Sequence, residues 1–138
     1  MTDFKTPTRS MHKSLTDIDY MDGREFELFV GDLLKKLSYK NVSVTQQSGD
    51  QGVDVIAFQD DLKIAFQCKH YSQHVGNRAV QELFSGSAFY DCSRSILVTN
   101  NYFTDSAQQL ASKLDIELWN RNTLKNLILK STPEDIKS

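Results

Sequence analysis

The residues best suited to chemistry in this chain are Asp54, Gln67 and Lys69. A turn centred on Asp60-Asp61 folds Val53–Phe58 and Lys63–Lys69 into an antiparallel hairpin. Asp54 then lies opposite Gln67, because 60 − 54 and 67 − 61 both equal 6. Lys69, two residues beyond Gln67, projects from the same face, since side chains alternate along a strand. A slip of one residue would send Asp54 to the other face, so this is a statement about register. In this register a carboxylate, an amide oxygen and an ammonium converge. Hard oxygen donors of this kind suit Mg2+, which takes one or two carboxylates together with water and substrate phosphate. A lysine beside such a site orients water or offsets negative charge on a phosphoryl group. Aspartate is disfavoured in a run such as Val53-Asp54-Val55-Ile56, and a charge there needs a partner. The spacing alone leaves open a structural Asp54–Lys69 ion pair or a solvent-facing strand side.

The elements that must position these groups are readable from periodicity. Phe26, Phe29, Val30, Leu33, Leu34 and Leu37 share one helical face. Asp22 is the expected N-cap, Glu25 and Glu27 suit the positive helix end, and the helix should stop near Ser38. Val42, Val44 and Thr45 form a short strand, and Ser48–Gly52 is a turn-rich break before the hairpin. A helix over Gly76–Tyr90 carries Val80, Leu83, Phe84, Ser87 and Ala88 at helical spacing. Ser95–Thr99 is a continuous apolar strand of the buried type. Thr104 caps a helix through Leu114, Ile116–Trp119 is a strand, and Arg121–Lys130 is a closing helix. The order α-β-β-β-α-β-α-β-α predicts an α/β fold, a mixed sheet with helices on both faces. Residues 1–21 read as a polar arm, 22–131 as one domain and 132–138 as a tail.

At 138 residues, 39% hydrophobic and 25% charged, the chain has the composition of one globular domain with a real core. Cys68 and Cys92 form no CxxC or Cys/His cluster, which argues against a disulfide scaffold or structural zinc. The sequence contains no apolar run long enough to span a bilayer. The first residues, MTDFKTPTRSMHKS, lack the apolar core of a signal peptide, so a cytoplasmic protein is expected. A net charge of −2 excludes a globally basic nucleic-acid binder. Charge is nevertheless uneven: Leu33–Gly49 and Leu62–Gln81 contain no acidic residue but several lysines, an arginine and two histidines. Either stretch could face a phosphate backbone.

From Asp22 to Leu124 the chain resembles the Mrr-like branch of restriction endonucleases, within the PD-(D/E)xK nuclease superfamily. The resemblance rests on DGREFELFVGDLLKKLSY, TQQSGDQGVDVIAF, IAFQCKHYSQHVGNRAVQEL, SILVTNNYFTDSAQQLA and IELWNRNTL, in that order. It implies a restriction-endonuclease-like core that hydrolyses DNA phosphodiesters with Mg2+, for which Mn2+ substitutes. Asp54 matches the metal-binding aspartate and Lys69 the catalytic lysine. Gln67 stands where many superfamily members have Glu or Asp, and glutamine there is characteristic of the Mrr-like branch. The backbone carbonyl of Cys68 is implied as a further ligand, and Glu27 as the acidic residue that completes the site. Two carboxylates fit one metal ion better than two. A water held by the metal or oriented by the lysine would attack in line with the leaving 3′ oxygen.

Weaker expectations attach to other residues. Asp50 is a turn former or a site-orienting group, and Gln81 matches a recurring glutamine of the resembled family. Lys36, His70, Arg78, Gln81, Asn100 and Thr104 are candidate DNA contacts. Neither GxGxxG nor GxxxxGK is present, so Gly49 and Gly52 need no phosphate-loop role. Trp119 and the phenylalanines are expected in the core. Ser38 departs from the glycine that relatives commonly carry at the end of the first helix, which costs about 1 kcal/mol in a left-handed cap. The expected function is a restriction or DNA-processing endonuclease. A junction-selective nuclease and a catalytically weak DNA-binding or assembly module on the same fold are the alternatives. DNA is the expected partner. With no room for a recognition domain, a homodimer, a separate recognition or NTPase partner, or the arm would supply specificity. No membrane association is expected.

Overall fold

The computed structural model of the chain describes residues 14–46 and 52–132. Asp50 and Gly49, singled out above, lie outside the described residues. A five-stranded sheet runs in the order β1 (Lys40–Val44), β2 (Val55–Gln59), β3 (Leu62–Lys69), β4 (Arg94–Thr99), β5 (Glu117–Trp119). The pairs β1–β2 and β2–β3 are antiparallel, whereas β3–β4 and β4–β5 are parallel. The parallel steps follow from the helices that intervene, α3 (Asn77–Phe89) and α4 (Asp105–Lys113). Helices α2 (Gly23–Lys36) and α5 (Arg121–Ser131) cover the opposite face. The expected mixed sheet with helices on both faces is thus present.

The hairpin register follows from its turn. Gln59 pairs with Leu62 and Val55 with Phe66. Asp60 and Asp61 both take positive φ, 52° and 66°, the pattern of a two-residue turn whose twist matches the strands it joins. Each face of the sheet has its own core. Val55, Phe66 and Trp119 pack with Phe26, Leu34 and Leu124 on one side. Ala65 and Leu97 pack with Val80, Leu83 and Ala107 on the other. Burial of each large side chain contributes roughly 1.5–3 kcal/mol. The expectation that the phenylalanines fill the core holds for Phe26, Phe66 and Phe103 but not for Phe84 and Phe89, which lie exposed on α3.

Asp22 caps α2 as expected, and Glu25 returns the bond to the Asp22 N–H to close a capping box. At the other end Ser38 sits at φ 73°, with its N–H donating to Lys35 O and the Tyr39 N–H to Leu34 O. That is a Schellman ending with serine in the position glycine prefers. Aspartates fill the same position after α3 and α4, Asp91 at φ 57° and Asp115 at φ 60°.

One boundary needs correction. The polar arm does not extend to residue 21, because Leu15–Asp19 form a helix, α1, with Ile18 fully buried in the core beneath α2. Ser14 and Asp17 form its capping box. Arg121 grips the Asp19 carboxylate through both guanidinium nitrogens at 2.8 and 2.9 Å, joining α1 to the start of α5. No helix among the described residues is long and apolar enough to cross a membrane.

Candidate active site

The site lies where β2 enters the sheet. Val55 is the first residue of β2, so Asp54 precedes the strand, yet its backbone is tied on both sides. Its N–H donates to Phe66 O at 2.8 Å, and its carbonyl accepts from the Thr45 N–H at 2.9 Å. Extending the β2–β3 register by one residue sets Asp54 opposite Gln67. The Asp54 Oδ2 accepts from the Cys68 N–H at 2.7 Å, which fixes the carboxylate at the rim of the sheet.

A cleft of about 650 Å³ opens there, lined by Glu27, Asp54, Gln67, Lys69, Gln81 and Glu82 among others. Three elements converge on it. The hairpin supplies Asp54, Gln67 and Lys69, α2 supplies Glu27, and α3 supplies Arg78, Gln81 and Glu82. Glu27 is held by Arg24, whose Nη1 donates to Glu27 Oε1 at 2.9 Å and to Thr45 O at 2.9 Å. Lys69 Nζ donates to Glu82 Oε1 at 3.2 Å and sits 5.9 Å from the centre of the Tyr71 ring. Lys69 thus pairs with Glu82, a group brought in from another element.

Glu82 is the group that sequence reasoning missed. Its Oε1 also accepts from Gln67 Nε2 at 3.3 Å, and its Oε2 lies 3.8 Å from Arg78 Nε. The only signal for it in the sequence was its position four residues after Arg78 and directly after Gln81.

Gln67 is 3% exposed. Its Oε1 is the buried side-chain atom that has no hydrogen-bond partner among the described residues. Such an orphan is costly unless something occupies it. Among the described residues no three His, Cys, Asp or Glu side chains gather as a metal-binding group. Three carboxylates line the cleft, Glu27, Asp54 and Glu82; with Glu82 engaged by Gln67 and Lys69, Asp54, Glu27 and this amide oxygen make an all-oxygen set of the kind a hard divalent cation accepts. Cys68 contributes no thiolate. Burial, then the Asp54 and Glu27 charges, push its thiol well above the usual range, so it stays protonated.

Gly52 is the remaining constraint on the cleft. It takes φ +81°, and a Cβ there would meet Glu82 O at 2.8 Å and Gln67 Nε2 at 3.5 Å. Its role is close approach to α3, in keeping with the expectation that it needs no phosphate-loop reading.

Of the six candidate DNA contacts, Arg78 and Gln81 line the cleft, and Arg78 is almost fully exposed. The other four sit elsewhere. Lys36 lies nine residues along α2 from Glu27, about 13 Å of helix rise, and borders a separate hollow with Tyr39 and Lys130. The His70 ring nitrogen Nε2 is 2.8 Å from Ile18 O, which ties it to α1. Asn100 is buried, accepts from the Tyr71 N–H at 2.9 Å and donates to Asp19 at 3.3 Å. Thr104 spends its hydroxyl oxygen as the N-cap of α4, accepting from the Ala107 N–H at 3.0 Å. Asn100 and Thr104 both use side-chain polar atoms in bonds within the fold.

The chain belongs to the Mrr_cat restriction endonuclease family, whose profile matches residues 18–128. Solved structures with the same fold include protein AF1548, of unknown function, at TM-score 0.64 and 16% identity over 76% of this chain and 64% of that one. Can2 from Sulfobacillus thermosulfidooxidans, in complex with cyclic tetra-adenylate, matches at TM-score 0.61 and 18% identity over 80% and 36%. The DNA modification-dependent restriction endonuclease AspBHI matches at 0.58 and 22% over 78% and 30%. The chain thus spans less than two thirds of the length of each of these proteins. A search of curated proteins by sequence gives no match.

Proposed function

We propose that this chain is the catalytic domain of a divalent-metal-dependent DNA endonuclease, with Mg2+ as the resident ion and Mn2+ able to replace it. The observation that carries the reading is the buried, unpartnered Gln67 Oε1 beside two carboxylates. Asp54, Gln67, Glu27 and the backbone carbonyl of Cys68 would hold the ion, which supplies Lewis acidity toward a phosphoryl oxygen. The chain's own groups do the rest. The Cys68 N–H holds Asp54 in place, and Arg24 holds Glu27. Lys69 reaches the cleft, where it orients the attacking water and offsets charge gathering on the phosphate. Arg78 and Gln81, on the rim, contact the DNA backbone and position the scissile bond.

Membership of a restriction endonuclease family supports DNA as substrate, as does the fold shared with AspBHI. A net charge of −2 predicts weak affinity for DNA from this domain alone. A second copy or a separate recognition or NTPase partner is the proposed source of specificity and of a second cut on the opposite strand. Restriction of foreign DNA or DNA processing is the corresponding biological role.

The test is cleavage of supercoiled, branched and modified DNA by the wild type, Asp54→Ala and Lys69→Ala with Mg2+, Mn2+ or EDTA. The expected result is wild-type nicking or linearisation that EDTA and Asp54→Ala abolish and that Lys69→Ala lowers on the order of 10²–10³-fold. No cleavage of any substrate by the wild type sinks the nuclease reading. Cleavage that survives both substitutions sinks the site.

A further inference from the structure

The unusual member of the cleft is a neutral amide. A carboxylate can offer oxygen from either side, but an amide offers oxygen on one side and N–H donors on the other. A glutamine serves as a cation ligand only if something decides which way it points. In this chain the deciding group is Glu82. Its Oε1 receives Gln67 Nε2, so the nitrogen end is drawn toward α3 and the oxygen end is left without a partner among the described residues. The opposite rotamer would set the Gln67 oxygen against a carboxylate oxygen at about the same separation, which repels. The same Glu82 oxygen receives Lys69 Nζ at 3.2 Å. One acidic atom therefore sets both members of the Gln67–Lys69 pair. Gly52 makes this possible, because its missing side chain lets β2's approach pass close to the Glu82 backbone and the Gln67 amide.

We infer that Glu82 is a positioning residue for the proposed cation site: by accepting from Gln67 Nε2 and Lys69 Nζ together, it turns the Gln67 oxygen toward the cation and stations the lysine beside it. This rests on the metal-dependent reading above and names the residue through which that site is oriented. The Glu82 side chain is 43% exposed. Its removal should therefore leave the fold intact.

A double-mutant cycle read by direct metal binding tests this. Mn2+ binding is measured by electron paramagnetic resonance for the wild type, Glu82→Leu, Gln67→Met and the double variant. Thermal midpoints check folding, and Gln67→Ala stands in if Gln67→Met does not fold. Loss of an orienting partner typically weakens a metal site about 10–100-fold, and Glu82→Leu, which leaves no acceptor there, should weaken Mn2+ binding at least tenfold. In the Gln67→Met background, where there is no amide left to orient, the same substitution should change binding less than about twofold. An equal loss in both backgrounds overturns the inference, because Glu82 would then act by its charge or as a ligand in its own right. A wild type that binds no Mn2+ overturns the metal reading itself, and this inference with it.

Discussion

Two buried side-chain amides sit near the same end of adjacent strands and live in opposite circumstances. Asn100 follows β4 and is 4% exposed, while Gln67 lies near the end of β3 and is 3% exposed. Asn100 is satisfied at both ends, its oxygen by the Tyr71 N–H and its nitrogen by Asp19. Its neighbours are closed as well, for Arg121 binds Asp19 bidentately and also donates to Asn100 O at 2.9 Å. Gln67 has one end tied to Glu82 and the other open. A fully bonded buried polar cluster holds a fold together, as the Asn100 cluster holds α1 to β4 and α5. A cluster with one oxygen left over has a bond still to be made, and under the proposed function the cation makes it.

This contrast can be broken by experiment, beginning with the largest effect. Asp54→Ala should abolish cleavage, and Lys69→Ala should lower it on the order of 10²–10³-fold in plasmid assays. Next, the two amides should respond in opposite ways. Asn100→Leu strands a backbone N–H and is expected to cost about 1–3 kcal/mol in urea denaturation. Gln67→Met removes an oxygen with no partner among the described residues and one N–H bond to the half-exposed Glu82, so its cost should stay below about 1 kcal/mol while cleavage is lost. Equal destabilisation by the two would erase the distinction.

Gly52→Ala probes the approach that sets the Gln67 side. With φ at +81° and backbone at 2.8 Å from the added carbon, it should destabilise by more than about 1 kcal/mol and weaken Mn2+ binding. Ser38→Gly lies away from both clusters and should raise stability by about 1 kcal/mol with cleavage unchanged, since it relieves φ 73°. The smallest effect concerns pH. The Arg121 guanidinium holds the Asp19 carboxyl below its ordinary 3.8, against a smaller opposing effect of burial. A lowered carboxyl stabilises the fold above 3.8 and loses that contribution as pH falls through its folded value. The stability gap between wild type and Asp19→Asn should therefore narrow in acid, as followed by circular dichroism.

The hairpin and its chemistry were legible because every determinant is local. Two turn aspartates, alternation along each strand and an aspartate inside an apolar run define which side chains face each other, and the structure keeps that register. The α2 cap, the α4 cap at Thr104 and the left-handed Ser38 were readable for the same reason: each depends on residues within a few positions. The serine and aspartate that cap α1 were equally local, and a polar composition hid them. Glu82 could not have been found this way. It lies 15 residues from Gln67 and 13 from Lys69, and their meeting depends on how α3 docks on the sheet. The same holds for Asn100, whose partner Asp19 is 81 residues distant. Sequence by itself determined which groups one hairpin presents, because backbone geometry repeats over short distances. Only the tertiary structure decided which way the Gln67 amide points, because that depends on a carboxylate brought in from another element.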